Sequence, residues 1–275
     1  MEHLTANIRG IDVSYMIANP NGHETVVLLH GFTGSLMTWN EVIEHLPTDI
    51  RIIAVDLTGH GKSSVRIPVE RYQMEEQVED LKSLFDYLNL TSFTLIGYSM
   101  GGRIALGFAC TYPHQLSKLL LESASPGIED SGDRLLRIKA DEQLAMKIEN
   151  EGLVAFVDFW EEIPLFRSQN QLSDEKKMAI RIERLDQDAI GLATSLRGIG
   201  TGQQPSLWMQ LPELPMPVVC ITGEYDEKFR NIATRMSSLL KNGQHLEVLG
   251  VGHAIHVENP VQFATIIKEQ VIDGI

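Results

Sequence analysis

Cysteine is almost absent from this chain: Cys110 and Cys220 are the two thiols in 275 residues, each inside an apolar run and far from the other. That scarcity excludes a disulfide framework and predicts buried free thiols in a reducing compartment. Positive charge is scarce too. Lys and Arg total 23 against 37 Asp and Glu, a formal net charge of −14, which repels nucleic acid and anionic membrane as bulk partners. No apolar stretch approaches the roughly 20 residues that span a bilayer. The opening MEHLTANIRGIDVSY is polar and lacks the apolar centre of a secretory signal. These absences lead to the expectation of a cytoplasmic protein without nucleic-acid or membrane partners. No His or Cys pair stands at ligand spacing, so no metal is expected.

What the chain does have is 43% hydrophobic residues, enough for a packed core. Six short apolar runs, TVVLLHG, RIIAVDL, FTLIGYS, KLLLES, PVVCITGE and HLEVLG, show no alternation. Strands of that kind are buried on both faces, as in a parallel sheet. Between them lie helical patterns. Met74, Val78, Leu81, Phe85 and Leu88 recur at three- and four-residue spacing, and Asn259-Pro260 reads as an N-cap followed by proline at the first helical position. Strand and helix in alternation predict an α/β fold, a mostly parallel central sheet with helices on both faces. The alternation fails between about Ser125 and Gln204, where helical patterns occur without a strand. Residues 1–124 and 205–275 are therefore expected to form the core, and residues 125–204 a helical lid.

In FTLIGYSMGGRIALGFACTYP a strand ends at a glycine, passes one serine and resumes as a helix. Gly97-Tyr98-Ser99-Met100-Gly101 fits G-x-S-x-G, in which glycines two before and two after the serine permit a turn too tight for a Cβ. A serine needs a histidine to activate it and an acid to orient that histidine. Asp226 follows one strand and His253 the next, and Ser, Asp, His is the order of the α/β-hydrolase triad. Glu224 and His256 are the rival acid and base. The backbone N–H groups of Phe32 and Met100 are the expected oxyanion donors; removing such a donor costs roughly 10²–10³ in rate. His30 is expected to hold the Gly31-Phe32 loop. GHGKSS at Gly59–Ser64 lacks the first glycine of a phosphate loop, because position 56 is Asp56. GIGTG at Gly198–Gly202 follows a helical segment, which excludes a dinucleotide fingerprint.

Arg103, one helical turn past the serine, is unexpected in an apolar esterase pocket. Its common fate would be a salt bridge. The lid adds Arg134, Arg137, Arg181, Arg184 and Arg197, and a locally basic lid on an acidic protein suggests a substrate carrying several carboxylates.

LHGFTGS, GYSMGGR, ESASPGI, FWEEIPLF, GTGQQPSLW and GEYDEKF together resemble the 2-succinyl-6-hydroxy-2,4-cyclohexadiene-1-carboxylate synthase family of menaquinone biosynthesis, and the likeness runs through the lid. The resemblance implies an α/β-hydrolase fold and a cofactor-free carbon–oxygen lyase. It would eliminate pyruvate from the tricarboxylate 2-succinyl-5-enolpyruvyl-6-hydroxy-3-cyclohexene-1-carboxylate. Ser99 would abstract a proton, His253 accept it and Asp226 orient His253. Arg103, Tyr98, Trp160 and Lys228 fall at the family's substrate-binding positions. Arg134 and Arg184 match more loosely, and Arg137 or Arg181 could replace either. Two other readings stay open: a serine hydrolase of an ester, thioester or carbon–carbon bond, and a ligand receptor on the same fold. An intact triad argues against the receptor, since binding alone does not need one.

Overall fold

A computed structural model describes residues 1–272. The chain opens with β1 (Glu2–Ile8), β2 (Ile11–Ala18), β3 (Glu24–Leu29), α1 (Asn40–Glu44), β4 (Ile50–Val55), α2 (Met74–Tyr87), β5 (Phe93–Tyr98), α3 (Met100–Thr111) and β6 (Leu116–Glu122). Three helices follow without a strand: α4 (Ser131–Glu161), α5 (Asp174–Leu185) and α6 (Ala189–Ile199). The chain then returns as β7 (Val218–Gly223), α7 (Glu227–Leu239), β8 (Gly243–Val248), α8 (Ile255–Glu258) and α9 (Pro260–Val271).

The six apolar runs become β3 to β8, all parallel to one another, in a sheet ordered β1-β2-β4-β3-β5-β6-β7-β8. Along β3 the side chains divide between two cores: Val27 and Leu29 meet α2 and α3, whereas Val26 and Leu28 meet α1 and α9. All four are fully buried, which is why the run is continuously apolar. Burying each such side chain contributes about 1.5–3 kcal/mol. Two strands escape the sequence reading. β1 and β2 pair antiparallel, and β2 extends the sheet antiparallel to β4. β1 buries alternate residues only near its end, so it has no apolar run to betray it.

α2 buries Met74, Val78, Leu81 and Phe85 as their spacing predicts, and the Asn259 side chain accepts the Gln262 N–H at the start of α9. Both cysteines are free, with Cys220 buried and Cys110 partly so, and burial pushes their thiols up to about 12 and about 11. Among the described residues no helix is long and apolar enough to cross a membrane. Within α4 the helical path breaks at Gly152, at φ 85° and ψ 166°, a region that essentially only glycine occupies.

Candidate active site

Ser99 occupies the turn between β5 and α3 at φ 50° and ψ −105°, backbone that strains any residue with a side chain by roughly 1–3 kcal/mol. The flanking glycines make the turn possible. A Cβ on Gly97 would lie 2.5 Å from the Gly101 carbonyl oxygen, and one on Gly101 would lie 2.4 Å from the carbonyl oxygens of Leu29 and His30. The Ser99 N–H donates to Glu122 O at 2.8 Å, which ties the turn to β6.

β7 and β8 deliver the partners. His253 Nε2 lies 3.1 Å from Ser99 Oγ, and His253 Nδ1 lies 2.6 Å from Asp226 Oδ2. An ionised Asp226 only accepts, so Nδ1 carries the proton and Nε2 is left to accept from the serine. Both partners are buried, His253 at 1% exposure. The rivals are engaged elsewhere. Glu224 accepts the Gly250 N–H at 2.8 Å; His256 sits 2.9 Å from the fully buried Glu122 and 3.0 Å from Thr38 Oγ1.

Phe32 and Met100 both line the cavity above Ser99, and neither backbone N–H donates to another backbone group among the described residues. Two contacts hold the Phe32 loop. His30 Nδ1–H donates to Gly31 O at 2.7 Å while its Nε2 accepts the Leu57 N–H at 3.0 Å, and complete burial lowers this imidazole to about 4, so it stays neutral. From α5, Glu183 accepts from both the backbone N–H and the hydroxyl of Ser35, at 2.9 and 2.7 Å.

The cavity measures about 140 Å³. One water needs roughly 10–15 Å³ by such a measure, so the space is ligand-sized. Strand ends supply its floor; Arg137 and Trp160 of α4, Leu165 and Phe166 beyond it, and Leu196 of α6 supply its walls. Arg103 is 8% exposed and donates to Ile199 O at 2.8 Å and Gln204 Oε1 at 3.1 Å. No carboxylate of the described residues forms an ion pair with it. Burial lowers it to about 10, which leaves it charged at neutral pH. A buried, unpaired cation is costly unless something anionic arrives. Arg137 lines the same cavity and is held 2.8 Å from Asp141, whose second oxygen has no partner. Lys228 stands at the solvent-exposed edge. Tyr98 packs 5.4 Å from His253, its phenol pushed well up by burial and by Glu122, and the buried Trp160 Nε1–H has no partner.

Two of the lid arginines expected at the substrate fall outside this lining. Arg134 donates to Gly202 O at 3.3 Å, and Arg184 lies over the Phe166 ring, 3.5 Å from Glu161, in a smaller neighbouring cleft. Arg181 is consumed by Asp158 and Glu161, and Arg197 by Glu142 and Glu149. Arg137, the sequence's substitute, is the lid arginine at the cavity. The buried positions Asp141, Ala145 and Ile148 of α4, extended backward by one and two turns, pass through both 137 and 134, so periodicity alone admits either. The polar lining residues Ser123, Ser125, Ser195 and Thr201 had no signal in the sequence.

Comparison with known proteins bears on this arrangement. Residues 24–145 match the alpha/beta hydrolase fold family. A Bacillus subtilis (strain 168) protein named as a putative 2-succinyl-6-hydroxy-2,4-cyclohexadiene-1-carboxylate synthase is 47% identical over 268 residues, 96% of this chain and 97% of its own length. The Escherichia coli O157:H7 (strain EC4115 / EHEC) synthase of that name is 33% identical, over 86% of this chain and 88% of its own. Among solved structures, MenH from S. aureus superposes with a TM-score of 0.87 at 38% identity, covering 92% of this chain and 96% of that one.

Proposed function

Because the chain belongs to the 2-succinyl-6-hydroxy-2,4-cyclohexadiene-1-carboxylate synthases, enzymes built on the α/β-hydrolase fold, we propose that it eliminates pyruvate from 2-succinyl-5-enolpyruvyl-6-hydroxy-3-cyclohexene-1-carboxylate. The substrate and product names dictate the electron flow. A proton leaves ring carbon 2, beside the succinyl ketone; a double bond forms between carbons 2 and 3; the existing one moves to carbons 4 and 5; and the bond from carbon 5 to the enolpyruvyl oxygen breaks. The departing enolpyruvate takes up a proton and becomes pyruvate.

In this reading Ser99 Oγ takes the carbon-bound proton as its own passes to His253, and Asp226 stabilises the imidazolium. The Phe32 and Met100 N–H groups meet the ketone oxygen as it gains enolate charge. Arg103, Arg137 and Lys228 grip the carboxylates of a small tricarboxylate, while Tyr98 and Trp160 bound its ring. Residues 125–204 act as the lid over a core of residues 1–124 and 205–275. Arg134 and Arg184 support the lid beside the cavity.

The observation that carries the reading is Arg103, a buried cation without a carboxylate, opening into the cavity of the serine. The same triad with free oxyanion donors also suits attack on an ester or thioester, and turnover separates the two. Enzymatically generated substrate should yield pyruvate and diene absorbance together, and Ser99→Ala should slow both by about 10³-fold or more. No acceleration, alongside hydrolysis of simple esters, would assign the triad to nucleophilic chemistry.

A further inference from the structure

His253 sits on a loop, and a single carboxylate fastens that loop on both sides of it. Glu258, at the end of α8, folds back so that Oε2 accepts the Gly252 N–H at 2.7 Å and Oε1 accepts the Ala254 N–H at 3.4 Å. Its own N–H donates to Ala254 O at 2.8 Å. The third donor comes from the other side of the site: Ser168 Oγ–H reaches Glu258 Oε1 at 3.0 Å. Ser168 belongs to the turn Pro164–Gln171, which also supplies Leu165 and Phe166 to the cavity wall, with the Phe166 ring 6.1 Å from His253. The approach is intimate, since a Cβ on Gly252 would lie 2.1 Å from Ser168 Oγ.

We propose that Glu258 is a positioning residue, which fixes the main chain on either side of His253 and sets the cavity wall against it. Asp226 holds only the far end of the imidazole; rotation and height of the ring above Ser99 depend on where the backbone at 252–254 stands. Hydrogen bonds to an ionised carboxylate are stronger than neutral ones, and the three donors oppose in part the burial that raises Glu258 above its ordinary range. One charged group thereby couples the base to the wall the ligand touches. This inference deepens the proposed function and rests on His253 serving Ser99.

The test reads Ser99 directly. A fluorophosphonate probe labels an activated serine whatever the natural substrate, so its second-order labelling rate reports the Ser99–His253 geometry. Glu258→Ala should lower that rate about 10²-fold, the cost of a misplacement near 1 Å. Glu258→Gln keeps one acceptor and should lose about 10-fold; Ser168→Ala, which releases only the wall, about 3-fold. Asn259→Ala removes the neighbouring helix cap without touching the loop, and should label at the wild-type rate although it melts earlier. Equal labelling of wild type and Glu258→Ala overturns the proposal, as does Glu258→Gln at the wild-type rate should the alanine variant not fold. A loss of rate in Asn259→Ala as large as in Glu258→Ala also overturns it, by reducing the effect to stability. Wild-type protein that labels rapidly yet fails to release pyruvate refutes the lyase reading and leaves Glu258 to be judged on its own rates.

Discussion

The sheet and the helical segment above it solve different problems. Ser99, Asp226 and His253 each follow the end of a strand; β5 and β7 are buried along their whole length, and β8, at the sheet edge, is held by its pairing with β7, so the backbone arrives at one place with little freedom. The helices α4 to α6 bury a small apolar cluster of their own and leave Leu135, Leu136 and Ile182 at least 60% exposed. Their charges mostly satisfy one another at the surface. What differs is how a side chain is aimed. A strand end aims through the main chain, whereas a helix aims through register, with each residue turning about 100° from the last. In the proposed function the proton-transfer groups stand on the first kind of support, and the charge-recognising groups on the second.

Acid should separate the two regions most strongly. His30 and His60 lie in the core with ring centroids 5.2 Å apart, and burial lowers them to about 4 and about 3 from an ordinary 6.5. Unfolding below pH 6.5 lets both take up protons that the native state refuses. Stability is full above that pH and falls as pH drops toward the folded values, by about 2 kcal/mol for each imidazole at pH 5. The upper region's carboxylates Glu142 and Glu149, held below their ordinary 4.5 by hydrogen bonds from Arg197, contribute fully above that value, lose the contribution only as pH falls below it, and are too exposed to contribute much. The melting temperature should therefore fall between pH 6.5 and 5 equally in wild type and Arg197→Gln. A flatter curve in the variant would shift the acid sensitivity to the helices.

Next in size is Arg103, the one gripping arginine mounted on the core. Arg103→Ala should raise KM about 10²-fold with a small change in melting temperature, as expected for stripping a desolvated charge pair of one partner. An unchanged KM would remove its role in binding carboxylate. The smallest effect is the most discriminating for the helices. Arg137→Ala should raise KM about 10-fold, while Arg134→Ala, three residues away on the same helix, should stay within about two-fold. The reverse order would mean that α4 presents its other position to the ligand.

The contrast also explains what could be read in advance. β3 to β7 were legible because strands buried on both sides are written as apolar runs, and the serine turn because its geometry requires glycine at 97 and 101; HLEVLG marks a strand too, but β8 lies at the sheet edge and fully buries only Val248, not both faces as expected. β1 was not legible, since an antiparallel edge strand needs few apolar residues, and β2, though an inner strand and mostly buried, has Asp12 and Ser14 interrupting its apolar residues. Arg137 and Arg134 share one stripe, and they are told apart only by folded contacts: Arg134 donates to Gly202 O, whereas Arg137 pairs with Asp141 and lines the cavity. Glu183 and Glu258 left no trace at all: each finds its key partner far along the chain, 148 residues away for Ser35 and 90 for Ser168. Carboxylates of that kind look like any others until the chain folds.

The break at Gly152 acquires a wider meaning in this light. Arg137 and Trp160 stand on either side of this break, and a straight helix would hold them about 34 Å apart. Both line a cavity of about 140 Å³. The glycine makes α4 a folded rule with two arms, one bearing the charge and the other the indole that the proposed function sets against a carboxylate and a ring. Lengthening or rotating either arm leaves the other in register. Under the proposed function, selectivity for a ligand's charge and selectivity for its flat face thus become separable inheritances, joined at a residue that touches neither.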